Sequence, residues 1–395
     1  MTSVITRRRV SSGEVFVYSI PIFTIVAASG NIGVLGFTLR GWSWILPLVM
    51  SMVLLVSPRA KRIEYSWHIW LPWFCWVVFK TDFTDRNAVQ RFGLLITPIF
   101  VLCAAASLRS ISVKVIKKSY LALFVGSVLV YCGAVADSHT VKALADWYVL
   151  GGIAMTFTLL AVASLSYTEQ SRLIGYTCLI VCFAVLVLTE SRMPLLVIPA
   201  MFIVGYSKDG LRARLALGMV IIILALWAFH TEPVQRSLFH RNYGDLNDLL
   251  SFNPQIVNMA GRLTVWPLYM ENINSIWFGD GSASSVYFGQ SIFGNTMWAH
   301  PHNEYIRVLF DYGVVGVILL SIPVLHLVFI ILRQTRTLKL KTDSRWLSMI
   351  SVNGILVILL LGISGNSLIY IAYIGNMVFM TVGSCWSLFD SRKAN

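Results

Sequence analysis

Apolar runs about as long as a helix needs to cross a bilayer, separated mostly by short charged connections, dominate this chain and leave few folds open to it. The runs are continuous and do not alternate every second residue, which excludes a β-barrel. Only 12% of the 395 residues are charged and 57% are hydrophobic, where a soluble domain carries about 25% charged residues. A soluble enzyme and a disordered scaffold are thereby excluded. The formal net charge of +13 reads first as a bias among loops, and a nucleic-acid partner is not expected. The expected fold class is an all-α polytopic membrane protein.

About twelve stretches are bounded by charges, near 14–33, 42–57, 64–79, 92–108, 119–136, 147–166, 173–189, 194–206, 215–230, 305–332, 346–363 and 368–388. An even number puts both termini on one side, and Arg7-Arg8-Arg9 ahead of the first span assigns that side to the cytoplasm. On this threading 21 of the 31 Lys and Arg residues are cytoplasmic, which supports the orientation. The first span, with its basic start and Ala27-Ala28-Ser29-Gly30, looks like a signal peptide but is expected to stay as an anchor, since no soluble domain follows. The six cysteines all lie in apolar runs, so no disulfide is expected.

Three regions follow: spans one to nine over 1–230, an external loop over 231–304, and spans ten to twelve with a cytoplasmic tail over 305–395. The loop is too long for a mere connection. Its apolar residues, among them Trp266, Tyr269, Ile273, Trp277, Phe278, Phe293 and Trp298, suit a small packed unit or a membrane-surface element better than disorder.

Three elements can carry chemistry. Arg192 stands in the tight external turn Thr189-Glu190-Ser191-Arg192-Met193-Pro194. An Arg at mid-helix costs roughly 2.5–3.5 kcal/mol on the insertion scale and less near the interface. With the following helix N-terminus it makes an anion site; the alternatives are snorkelling to headgroups or pairing with Glu190. Gly261-Arg262-Leu263-Thr264-Val265-Trp266 comes next, with Leu263, Trp266, Tyr269, Met270 and Ile273 at helical spacing, so Arg262 opens an amphipathic helix. Arg262 is either a ligand residue or a solvated helix-end charge. Trp277-Phe278-Gly279-Asp280-Gly281 follows, a turn that lets backbone approach closely.

The third element, His300-Pro301-His302-Asn303-Glu304-Tyr305-Ile306-Arg307, sits directly before the tenth span. A histidine there can accept a proton from a hydroxyl, cap the helix, or bind metal. A full set of three or four metal ligands and a DxD carboxylate pair are both missing, so neither metal nor cofactor is expected. Glu304 suits the helix dipole and is not read as the base.

This ordered set resembles the O-antigen ligase and polymerase superfamily of bacterial envelopes. The set comprises Ser-Arg in an outer turn, Gly-Arg-x-x-x-Trp leading to Phe-Gly-x-Gly, and His-Asn-x-Tyr before the Gly313 to Gly316 Gly-Val-Val-Gly helix. The specific stretch covers about 190–320; the remaining spans match in number and hydropathy only. The resemblance implies a GT-C-like glycosyltransferase in the bacterial inner membrane, with its active site facing the periplasm. Its donor would be a glycan linked to undecaprenyl diphosphate. It also implies Arg192, Arg262 and His302 as catalytic residues, with the arginines holding the diphosphate and His302 deprotonating the acceptor in an inverting, metal-independent transfer. His300, Asn303, Tyr305 and Arg307 are candidates for substrate binding, set against helix capping and packing.

Within the superfamily the single large outer loop looks more like the ligases, whose acceptor is lipid A–core. His-Pro-His-Asn-Glu-Tyr also looks like exopolysaccharide polymerases, whose acceptor is a second lipid-linked unit. Membrane lipids and an envelope polysaccharide assembly complex are the further partners implied. A lipid-linked oligosaccharide flippase or transporter is a third reading, but it should show repeats and several buried ionisable groups, where only His68, Asp311 and His326 qualify.

Overall fold

The computed structural model of the chain describes residues 11–28, 33–34, 37–57, 66–108, 111–136, 147–167, 172–188, 262–294, 300–337, 342–363 and 374–393, with scattered positions between 197 and 257. In chain order the helices are α1 (Ser12–Ala28), α2 (Leu39–Val56), α3 (Leu71–Lys80, after a 3-10 turn at Trp67–Trp70), α4 (Arg86–Ser107), α5 (Val113–Ala136), α6 (Trp147–Tyr167) and α7 (Arg172–Leu188). They continue with α8 (Leu246–Leu250), α9 (Arg262–Glu271), α10 (Ser284–Phe293), α11 (Glu304–Thr337), α12 (Thr342–Gly362) and α13 (Gly375–Lys393). Gly33–Val34 (β1) and Phe37–Thr38 (β2) form one short antiparallel pair.

Among the described residues, four helical segments are both long and apolar enough to cross a membrane: Arg86–Ser107, Val113–Gly133, Glu304–Arg336 and Ser344–Gly362. Shorter apolar helices run over Ser12–Ala27, Gly41–Val56, Ala154–Ser164 and Leu173–Leu186. The chain is therefore a helical membrane protein; the expected spans at 194–206 and 215–230 lie largely outside the described residues.

α4 is the buried spine. Its last five residues, Cys103-Ala104-Ala105-Ala106-Ser107, are small, and Gly383 of α13 lies against the Leu102 carbonyl. Small side chains let two membrane helices approach closely, where van der Waals packing replaces the hydrophobic drive that lipid cannot supply. α11 instead shows Ile318, Ile322, Leu325 and Phe329 outward. Their helical spacing makes one apolar stripe suited to lipid.

α4 begins at Arg86, six residues before the apolar run that predicts it. The Asp85 carboxylate accepts hydrogen bonds from Asn87 N (2.9 Å) and Ala88 N (3.3 Å), which caps the start. α11 is likewise continuous by length but broken in conformation: Gly313 has φ 69° and ψ −176°. The turn over residues 276–281 fills the break. Asp280 N and Gly281 N donate to the carbonyls of Phe310 (2.8 Å) and Asp311 (3.0 Å), while Val314 N and Val315 N donate to those of Ile276 (2.9 Å) and Trp277 (3.1 Å). Trp76 Nε1 of α3 takes the Tyr312 carbonyl at 3.0 Å. Backbone groups that a broken helix leaves open inside a membrane protein are thus satisfied by protein.

The loop is packed onto this framework. Tyr269 of α9, Phe288 of α10 and Phe310 of α11 meet edge-on or tilted, with ring centroids 5.0–5.7 Å apart, around buried Val265. Val265 and Tyr269, four apart, form the inward face of α9, whereas Met270, expected on the apolar face, is 42% exposed.

Candidate active site

The N-terminal end of α11 collects most of the chemistry. Asn303 caps the helix, its Oδ1 accepting from Tyr305 N (3.0 Å) and Ile306 N (3.1 Å). His302, immediately before, has φ 50°, one of two non-glycine residues in the left-handed region among those described. Such a conformation costs on the order of 1–3 kcal/mol and persists where the surroundings enforce it, commonly at functional sites. Here the capping of Asn303 on one side and a tie on Pro301 on the other enforce it.

That tie is Trp266, whose indole Nε1 donates to the Pro301 carbonyl at 2.8 Å. Trp266 lies one helical turn after Arg262 on the same face of α9. The Gly-Arg-x-x-x-Trp spacing therefore has a geometric meaning: the tryptophan grips the segment between the two histidines, and the arginine stands one turn along the same stripe.

Behind this segment lies a buried ionic cluster. Arg307 donates Nε to Glu304 Oε2 (2.6 Å) and sets Nη2 in ion-pair contact with the same oxygen (2.5 Å), but Nη2 makes no hydrogen bond among the described residues. Asp311 Oδ1 accepts from Ser285 N at 2.8 Å, placing a carboxylate at the N-terminal end of α10. Arg91, reaching in from α4, sets Nη2 3.3 Å from Nδ1 of His300, and its Nη1 has no hydrogen-bond partner among the described residues. Arg91, Glu304, Arg307 and Asp311 are at most 6% exposed. Burial, and then the charges of Arg91, His302 and Arg307, push His300 down to about 3, so at neutral pH it carries no charge.

The turns at both ends of these helices lock around this cluster. Lys80 Nζ donates to the Gly279 carbonyl (2.9 Å), Ser282 N to the Lys80 carbonyl (2.8 Å), and Tyr312 Oη to Ser282 Oγ (2.9 Å). Tyr287 Oη of α10 donates to Asp85 Oδ1 at 2.5 Å. Asp280 closes its own turn by accepting from Asn274 N (3.1 Å) and Ser275 N (3.0 Å).

Of the residues singled out by sequence, His300, His302, Asn303, Tyr305 and Arg307 share the mouth of α11, and Arg262 is carried towards them by the α9 contact. Arg192 lies outside the described residues. Asn303 spends its side-chain oxygen on capping, Arg307 its Nε on Glu304, and Tyr305 donates Oη to the Leu359 carbonyl at 2.7 Å. Arg91 was not foreseen. It borders an apolar run, and a single basic residue at such a border reads as a loop charge; its burial is set by α4 starting earlier than its hydropathy does. Among the described residues no three His, Cys, Asp or Glu side chains group as metal ligands.

A family model described as O-antigen ligase matches residues 177–321. The match spans the whole stretch that carries the motifs, and it falls in the superfamily they resemble. No curated protein matches the chain.

Proposed function

Taking the matched stretch as the working part of an O-antigen ligase or polymerase, we propose that the protein is a periplasm-facing glycosyltransferase of the bacterial inner membrane. On this reading it transfers a glycan from undecaprenyl diphosphate to an acceptor hydroxyl, as an O-antigen ligase acting on lipid A–core. A strained His302 beside the helix that carries Arg262, within the matched residues, is the observation that supports this most.

The reaction follows from the groups. His302 takes the proton of the acceptor hydroxyl as its oxygen attacks the anomeric carbon. The new C–O bond forms as the bond from that carbon to the phosphate oxygen breaks, and undecaprenyl diphosphate leaves with the electron pair. Arg262, joined by Arg192, stabilises the added negative charge through two-pronged hydrogen bonds, in place of a metal. The imidazolium then returns its proton to solvent. Attack from the face opposite the leaving group inverts the anomeric centre. About twelve spans in a GT-C-like arrangement, with both termini cytoplasmic, complete the proposal.

Purified protein in liposomes, given labelled lipid-linked donor with lipid A–core or with a second lipid-linked unit, tests it. Transfer to lipid A–core, surviving exhaustive chelation with EDTA, is expected. Transfer only to the lipid-linked unit would make the protein a polymerase, and movement of donor without a new glycosidic bond would make it a transporter.

A further inference from the structure

Two histidines flank Pro301, and only one can be the base. The structure separates them by what stands behind each. Arg91 can donate hydrogen bonds but never accept one, so the 3.3 Å contact of its Nη2 with His300 Nδ1 requires that nitrogen to be the unprotonated acceptor. The ring proton must then sit on Nε2, which makes no hydrogen bond among the described residues. His300 is half-buried, and with Nδ1 taken by Arg91, Nε2 is the ring nitrogen that remains to meet a ligand.

Resting on the glycosyl-transfer reading above, we propose that Arg91 is a positioning residue that fixes His300 in the Nε2–H tautomer, making it a hydrogen-bond donor to a phosphate oxygen of the donor substrate. Proton abstraction is thereby left to His302. An N–H polarised by a guanidinium on the far side of its ring suits an anionic oxygen better than a hydroxyl. Burial and the charged neighbours hold the ring neutral well below neutral pH. Arg91 faces His300 from α4, Arg307 from α11 and His302 from its own segment. Glu304 and Asp311 balance the two guanidiniums, so the cationic form of His300 gains nothing from the cluster. α9, tied to the segment through Trp266, adds Arg262, another cation. Arg91 itself is held by its place in α4, whose start is fixed by Asp85 and through it by Tyr287.

The first test does not depend on activity. Nitrogen-15 spectra of histidine-labelled protein in lipid bilayers, with His300 identified by the signal lost in His300→Gln, should show a neutral ring protonated on Nε2 at pH 7 and still neutral at pH 5. A ring protonated on Nδ1, or doubly protonated at pH 5, overturns the proposal whether or not transfer is ever seen.

The second test is a cycle of variants in the liposome assay. Gln at 91 can turn its amide to donate or accept and so frees the tautomer, while Lys, a donor only, keeps it. Arg91→Gln should lower transfer about tenfold, and Arg91→Lys should recover most of that loss. In a His300→Gln background, whose amide has no tautomer to fix, Arg91→Gln should add less than a twofold loss. Equal losses in both backgrounds would mean that Arg91 acts through folding alone. His300→Ala should weaken donor binding about tenfold; unchanged donor binding would overturn the phosphate contact. A wild-type protein that transfers nothing to any acceptor would instead sink the parent reading, with the tautomer result standing apart from it.

Discussion

Gly279 and Gly313 meet backbone to backbone: a Cβ on Gly279 would stand 2.4 Å from Gly313 N, and a Cβ on Gly313 would stand 2.5 Å from Gly279 N. Both have positive φ, 72° and 69°. One belongs to the external turn and the other to the break in α11, so two glycines far apart in sequence make a single junction.

Alanine at either position should be among the most damaging small substitutions in the chain. The left-handed backbone alone costs an L-residue about 1–2 kcal/mol, and a methyl group pressed into main chain adds more, because main chain cannot swing aside as a flexible side chain can. Thermal unfolding in detergent, or the yield of monodisperse protein, should show a loss above about 3 kcal/mol or a failure to accumulate. Near-normal stability of Gly279→Ala would mean that the turn does not seat in the break.

The Arg307–Glu304 pair yields an asymmetric expectation. Removing one partner strands the other charge in a buried site, so Arg307→Ala should destabilise by about 3–5 kcal/mol. Replacing both with apolar residues of similar volume, Arg307→Met with Glu304→Leu, should recover most of that stability. Should the double variant be as unstable as the single one, Arg307 must be holding a group beyond Glu304.

His302 and Arg262 should fail differently. His302→Ala should lose about 10²–10⁴-fold in turnover while still binding the lipid-linked donor, since a base acts on the acceptor. Arg262→Ala should lose donor binding as well, because the diphosphate is already charged in the ground state. Equilibrium binding of labelled donor beside single-turnover transfer separates the two; intact donor affinity in Arg262→Ala would remove that residue from the diphosphate site.

Acid should weaken the fold through His300. Its folded value is about 3 against an ordinary 6.5, so between those limits the unfolded chain binds more protons. Stability then rises with pH across that window and is flat above it. Unfolding midpoints measured from pH 7 to pH 5 should fall in the wild type and fall less in His300→Gln. Identical slopes would show that other groups govern the acid limb.

Orientation is testable in a background free of the six native cysteines. Asn272→Cys, exposed on the outer loop, should react in whole cells with a membrane-impermeant reagent, and Lys114→Cys, exposed at the start of α5, should not. The opposite pattern would invert the chain and move the candidate site to the cytoplasm.

Hydropathy made the helices legible, and the spacing of Arg262, Trp266 and His302 made the outer mouth of α11 legible as a unit. Trp266 shows why the spacing is diagnostic, since its indole is what holds the histidine segment. Arg91 was not legible in the same way, and Asp311 was legible as a buried ionisable group but not as a member of the ionic cluster. Whether a charge at the edge of an apolar run faces water or a buried partner depends on which helix lies opposite, and that is settled by packing between α4 and α11 rather than by local pattern. The break at Gly313 was hidden for a related reason: its sequence, Gly-Val-Val-Gly, continues a hydrophobic run, and only the turn that docks there turns a flexible residue into an interruption.

That interruption divides α11 mechanically. The segment from Glu304 to Tyr312 is bonded sideways to the turn and to α3, Val314 and Val315 just past Gly313 are bonded to the same turn, and only from Ile318 on does the helix show its apolar stripe outward. Membrane helices answer changes in bilayer thickness by tilting, and the turn, bonded to α11 on both sides of Gly313, holds the histidine end against a tilt of the long segment that follows. The histidines then keep their place relative to Trp266 and Arg91 while the bilayer around them thickens or thins.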